Sequence, residues 1–426
     1  MGMLEVPAPA GAWRRAFFTI WIGQSISLIG SMIVQFALVW WLTQTTGSAT
    51  VLATATIVGL VPTILLGPLA GALVDRWNRR RVLIFADAAI ALCTLVLVIT
   101  SWAGVLATWQ VFCALFLRAL GGAFHWPAMQ ASTSLMVPRS MLSRLKGMDS
   151  ALYGILRIAA PPAGAFLMWL MPLPAVLAVD IITAALAIGT LLLFKIPQPM
   201  RANAGEVITL RLIWADVKVG MHYMVSWRGL VTIMLMGICI NLLLSPFYTL
   251  LPFWVSKFFQ GNAIQLGWIE SASGIGIILG GVVLSVKGGF KRRIHTSILG
   301  MLGLGFGCLL AGLVTVNQFG LAVLSLGVVG MMNTLVMGPM LAVLLDVVPP
   351  ELQGRVLTIL DSATSAMTPI GLVIAGLLAD ARGAQVWFIV AGVGCAALFV
   401  LALASAPVRN IESERSASVS HSTSNS

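Results

Sequence analysis

The chain has 426 residues, 59% of them hydrophobic and only 9% charged, with a mean hydropathy of +0.99. No soluble domain of that length has an interior large enough to hide so much apolar surface, so the composition excludes a soluble enzyme or binding module and leaves a polytopic membrane protein. Its formal charge of +11 lies in short loops between apolar runs, the distribution of cytoplasmic loops rather than of a nucleic-acid-binding face.

Allowing about 20 residues per span, twelve helices follow: 17–42, 49–75, 82–101, 107–131, 148–170, 174–195, 229–256, 265–287, 293–315, 318–345, 357–379 and 385–406. The first run is too long for a signal-peptide core and reads as a retained helix. The longest polar interval follows the sixth span, so the chain divides into a cytoplasmic N-terminus 1–16, a six-helix bundle 17–195, a cytoplasmic linker 196–228, a second six-helix bundle 229–406, and a Ser-rich tail 407–426 read as disordered. The fold class expected is all-α, twelve transmembrane helices in two pseudo-repeat bundles. All of the 25 Lys and Arg except Lys257, Arg382, Arg118 and Arg157 fall on one side, which makes both termini cytoplasmic in a multi-pass cell-membrane protein.

Between the second and third spans stands Gly71-Ala-Leu-Val-Asp75-Arg76-Trp-Asn78-Arg79-Arg80-Arg81. Four arginines and an aspartate cannot lie in hydrocarbon, so this is a tight surface connection. The third span carries a single charge, Asp87. Val137-Pro138, Arg144, Asp149-Ser150-Ala151 recurs as Val348-Pro349, Arg355, Asp361-Ser362-Ala363, one copy in each half. Asp149 and Asp361 are therefore expected at the starts of the fifth and eleventh spans, capping a helix or pairing with loop arginines.

Charges inside spans cost about 2.5–3.5 kcal/mol each on the insertion scale, so Arg118, Arg157, Asp180 and Glu270 each need a reason. Asp180 and Glu270 lie towards the outer side, where a carboxyl group in a low-dielectric cavity can exchange a proton. Asp180 is alternatively a fixed ion pair with Arg118 or Arg157. His125 either relays a proton or packs as a hydrogen-bonded membrane histidine. Ala160-Pro161-Pro162-Ala163-Gly164 offers small and kinking residues for close helix packing. The five cysteines are scattered through apolar runs as packing residues, the histidines are too dispersed for a zinc site, and no phosphate-binding Gly-Lys loop is present. Neither an enzyme, a metal nor a cofactor is called for.

The 71–81 stretch resembles the loop between the second and third helices of the major facilitator superfamily, with Asn78 where the family commonly has Gly, which implies left-handed backbone angles there that Asn tolerates next best. Leu115-Phe-Leu-Arg118-Ala-Leu-Gly121 resembles its fourth-helix motif, and the Pro161, Pro162, Gly164 segment its antiporter motif. The resemblance spans residues 13–406. The opening Trp21-Ile-Gly23-Gln24 and the Val-Pro loop are most similar to the macrolide-efflux and enterobactin-exporter branch. It implies a cytoplasmic gate at Gly71, Asp75, Arg76, Arg79, Arg80, Asp149 and Asp361, and proton coupling through Glu270, Asp180, Arg118, Arg157 or His125. A cavity lined by Gln24, Gln35, Asn241, Phe247 and Tyr248 suits a bulky amphipathic molecule. The function implied is drug-resistance efflux: a monomeric, proton-coupled antiporter, surrounded by membrane lipid, that exports macrolide-like compounds by alternating access. The alternatives are an exporter or flippase of an endogenous siderophore or lipid, and a non-transporting membrane scaffold.

Overall fold

The computed structural model describes residues 12–198, 218, 221–225, 227–290 and 292–412, which are helical throughout apart from short connections. The helices are α1 (Ala12–Thr46), α2 (Ala49–Arg76), α3 (Arg79–Trp102), α4 (Thr108–Met136), α5 (Arg139–Leu170), α6 (Leu173–Leu193), α7 (Arg228–Thr249), α8 (Leu251–Lys257), α9 (Ala263–Lys287), α10 (Arg293–Leu313), α11 (Phe319–Val347), α12 (Pro350–Ala366), α13 (Thr368–Arg382), α14 (Ala384–Ala404) and α15 (Ala406–Arg409). Twelve helical stretches among these residues are long and apolar enough to cross a membrane. Most of the linker, the far end of the tail and the start of the N-terminus lie outside the described residues, but the first part of the tail, read as disordered, is ordered through α15 with Val408 and Ile411 buried.

Proline explains where element boundaries depart from the sequence reading. The seventh span, read as one helix to 256, breaks at Leu250, and Pro252 then opens α8 in its first turn. The eleventh breaks at Met367, with Pro369 opening α13. Proline lacks the N–H that would bond one turn back and is tolerated only where that donor is not needed. Pro138 and Pro349 likewise stand just before α5 and α12, which start at Arg139 and Pro350 rather than near 148 and 357. Asp149 and Asp361 therefore lie about three turns inside their helices, and neither is a cap.

The described residues fall into two compact units. One holds 12–42 and 55–198, the other 43–54 and the described residues from 218 onward. In the first, α3 packs on both α4 and α6. Gly23 and Gly30 of α1 face Thr190 and Thr183 of α6, and a Cβ on Gly23 would come within 2.6 Å of the Thr190 Oγ1. Phe17, Ile20, Val74, Leu83, Ala128 and Leu191 fill the core below them.

The second unit is held by small residues. In lipid, apolar side chains gain little by meeting one another, so close backbone packing carries helix association. A Cβ on Gly276 would run into the Gly327 backbone, and one on Gly330 into that of Ser273, which brings α9 and α11 together. Gly305 of α10 also packs closely on α14: a Cβ there would come within 2.9 Å of the Gly392 carbonyl oxygen. The same unit holds the α1–α2 turn. Gly47 takes φ +57°, and Asp380 of α13 receives the N–H of Ala49 at 2.6 Å, the N–H of Thr50 at 3.0 Å and the Ser48 hydroxyl at 2.8 Å. A carboxylate there satisfies the orphan donors of the α2 N-terminus and complements its dipole.

Candidate functional site: two buried polar layers

Four helices of the first unit bring polar side chains into an otherwise apolar interior. In the first layer the Asp180 carboxylate is fully buried and accepts from the Ser31 hydroxyl at 2.7 Å, from the Thr94 hydroxyl at 2.8 Å, and from Arg118, with which it forms a buried ion pair. Arg118 also reaches Thr94 Oγ1 at 2.7 Å and the Ser31 carbonyl at 3.3 Å. Of the two partners left open for Asp180, the structure selects Arg118. The two charges cancel, and both carboxylate oxygens are spoken for.

The second layer joins Gln24, Asp87 and His125. The Gln24 amide nitrogen donates to Asp87 Oδ2 at 2.9 Å, its oxygen lies 2.8 Å from His125 Nε2, and that nitrogen lies 3.3 Å from Asp87 Oδ1. Asp87 is 5% exposed and Gln24 8%. Gln24, expected to contact substrate, is thus committed to this closed ring of three side chains.

The two layers share one construction. Gln24 and Ser31 on α1, Asp87 and Thr94 on α3, and Arg118 and His125 on α4 are each seven residues apart. Seven residues are close to two helical turns and return to the same face. Sequence reasoning overlooked Asp87, Thr94 and Ser31. The signal was there in those matched spacings, once Arg118 and His125 were both singled out on one helix.

At one end of α3 the arginine-rich connection is tighter than expected. Only Trp77 and Asn78 separate α2 from α3. Asn78 is not left-handed: at φ −70°, ψ 106° it is the N-cap of α3, its side chain accepting the Arg81 N–H at 3.1 Å. Arginines at a helix N-terminus oppose its dipole, and two of them reach away to carbonyls at other helix ends. Arg79, 7% exposed, donates to the Ala131 carbonyl at 2.9 Å, and Arg80 donates to those of Leu191 at 2.6 Å and Leu192 at 2.9 Å. The last carbonyls of α6 have no partner within the helix, so Arg80 supplies one. Arg76 is exposed, a Cβ on Gly71 would meet nothing, and the Asp75 side chain lies outside the described residues. Asp149 accepts from Trp21 Nε1 at 2.6 Å, and Asp361 is exposed.

The other candidates stand apart from the layers. Arg157 is exposed on α5 and makes no ion pair or side-chain hydrogen bond among the described residues. Pro161 and Pro162 lie within α5, and Gly164 lets Phe36 approach, its Cβ position being 2.9 Å from the ring. Gln35 is exposed. In the second unit Glu270 is half-buried on α9 without a polar partner among the described residues. Asn241 accepts from the Thr368 hydroxyl at 2.6 Å. Phe247 is completely buried, its ring 4.5 Å from Phe388 and 5.6 Å from Tyr248, so its face is taken by core packing rather than open to a substrate.

The family model described as transmembrane secretion effector matches residues 8–425. Macrolide efflux protein A of Streptococcus pyogenes is 32% identical over 381 residues, covering 89% of this chain and 93% of that one. The multidrug efflux pump Tap of Mycolicibacterium fortuitum is 25% identical over 404 residues, 90% of this chain and 94% of its own. Among solved structures, a bacterial homolog of the human lysosomal transporter Spinster superposes with a TM-score of 0.72 at 14% identity, over 95% of this chain and 98% of that one, a likeness of fold. With its twelve apolar helices and its whole length matched, the chain belongs to the transmembrane secretion effector family of the major facilitator superfamily.

Proposed function

We propose that this protein exports bulky hydrophobic or amphipathic compounds, macrolide-like drugs among them, by proton antiport with alternating access. The efflux relatives support the direction and the cargo class. The placement of nearly all Lys and Arg on one side supports insertion in the cell membrane with both termini cytoplasmic. In this reading 17–195 and 229–406 are the two moving bundles of a monomer, the 71–81 connection with Asp149 and Asp361 gates the cytoplasmic side, and the α5 prolines with Gly164 serve the close packing of an antiporter. Tyr248, Asn241 and Gln35 remain the polar surface offered to substrate.

One observation carries the proposal: the apolar interior of the first unit retains two acids, an arginine and a histidine in hydrogen-bonded layers. A scaffold would be more stable with packed apolar residues of similar volume in their place, by about 1–4 kcal/mol for a buried ion pair. Among the coupling candidates, Arg118, Asp180 and His125 lie in these layers, while Glu270 and Arg157 stand alone. The test uses inside-out vesicles with an acid interior and radiolabelled erythromycin outside. Accumulation several-fold above that of vesicles without the protein, in which the amine is trapped by pH alone, and abolished by collapsing the gradient, is expected. Accumulation indifferent to the gradient overturns proton antiport and favours a uniporter or a flippase.

A further inference from the structure

We propose that Asp87 and His125, held together by Gln24, are the site at which this transporter exchanges a proton for the ammonium group of a cationic amphiphile, and that Arg118–Asp180 is a fixed brace. The inference rests on the proton-antiport reading and names the residues that carry it out.

The geometry fixes which atom takes the proton. Gln24 spends its amide nitrogen on Asp87 Oδ2, which turns its oxygen towards the ring. His125 Nε2 then faces two acceptors, Gln24 Oε1 at 2.8 Å and Asp87 Oδ1 at 3.3 Å, and so bears the hydrogen. The basic lone pair is on Nδ1. A proton delivered from water adds there and departs from there, with no other bond made or broken and no rotation of the ring. The histidine side chain is 22% exposed and its carboxylate partner only 6%, so the ring is the more accessible of the two.

Charge decides what else the site accepts. With the imidazole neutral, Asp87 is a negative charge whose only ionisable partner among the described residues is that imidazole. The surrounding helices do not cancel it. Arg118 on α4 is matched by Asp180 on α6. Asp149 on α5 is a further negative charge, held by Trp21 of α1 three residues before Gln24. A carboxylate in apolar surroundings without a cation is costly. Protonation of His125 supplies that cation, and so does an organic ammonium. The two exclude each other because a second cation would face an imidazolium, and exclusion at one site is what antiport requires. The first layer has no such freedom: Asp180 is wholly buried, with Ser31 on one oxygen and Thr94 and Arg118 on the other.

The test is equilibrium binding of rhodamine 6G, whose charge is fixed across the range, to purified protein in detergent from pH 8 to pH 5.5, followed by fluorescence anisotropy. In the wild type the affinity falls as pH falls, approaching tenfold per pH unit, the limit for one proton displacing one cation. His125→Gln flattens that dependence while retaining binding. Asp87→Asn weakens binding at pH 8 at least tenfold and is also flat. Absence of binding by the wild type, a flat wild-type profile, or a wild-type profile in both variants overturns the proposal. Should Asp87→Asn fail to fold, a wild-type profile in His125→Gln alone overturns the proposal. A pH-dependent profile that needs Asp87 and His125, together with erythromycin accumulation indifferent to the gradient, leaves the site standing and removes antiport. Gradient-driven accumulation with a flat profile does the reverse.

Discussion

Replacing Asp180 by Asn tests whether the first layer is a brace. The substitution keeps the shape but removes the charge, leaving the Arg118 guanidinium, 8% exposed, without a counter-ion. It also leaves one acceptor oxygen where two now serve Ser31, Thr94 and Arg118, and sets an amide N–H₂ against donors. Removing one partner of a buried pair costs about 3–5 kcal/mol. At roughly 2–4 °C per kcal/mol for a unit of this size, the melting temperature falls by about 6–20 °C. Intrinsic tryptophan fluorescence in detergent reads it out, since the chain carries 14 tryptophans. The double variant Arg118→Met with Asp180→Leu removes both charges and is expected to recover most of the loss, with a coupling of opposite sign to the single costs. A single variant within about 2 °C of the wild type, or a double variant as unstable as the single, would falsify the brace.

Other consequences are more local. Asp380→Ala removes the acceptor of three donors at the start of α2 and is expected to cost about 1–2 kcal/mol; amide exchange at residues 49–51 then speeds up about five- to thirtyfold, and unchanged protection would mean the cap is made otherwise. Gly330→Val places a side chain against the Ser273 backbone, which no rotamer avoids, so α9 and α11 must separate; a loss of about 2 kcal/mol or more, seen as poor yield and an early melt, is expected, while Gly71→Ala, which meets nothing, leaves both unchanged. Asn78→Ala costs about 1 kcal/mol through the lost N-cap, whereas Asn78→Gly costs a few tenths. Were left-handed angles the reason for Asn78, Gly would stabilise instead.

Helix number and position were legible because lipid leaves a helix no other partner for its backbone, so apolar length alone marks each span. Helix starts were less so. The Val-Pro steps at 137 and 348 looked like loop, since polar residues follow them, yet proline suits the first turn and both helices begin there. Asn78 was misread for a related reason: a tight turn admits either a left-handed residue or an N-cap, and only the third dimension separates them. Arg118 and Asp180 announced themselves by the cost of their charges. Asp87 carries the same cost but stood in a long apolar run without a nearby basic residue to suggest a partner. That partner, His125, comes from another helix and is uncharged when unprotonated. The glycines of α10 pack against α11 and α14, and which neighbour each admits depends on helix rotation that composition does not encode.

The heptad spacing has a mechanical consequence within the first unit. Arg118 and His125 ride on the same helix, about 10 Å apart along its axis, and their partners lie on α1 and α3, with Asp180 on α6. A slide of α4 by one turn, about 5.4 Å, would break both layers at once and strand two buried acids. Each layer therefore holds the register of the other. In the proposed exchange the charge of the His125 layer changes while Arg118 holds α4 to Asp180 of α6, Thr94 of α3 and Ser31 of α1, so the packing of the unit is kept.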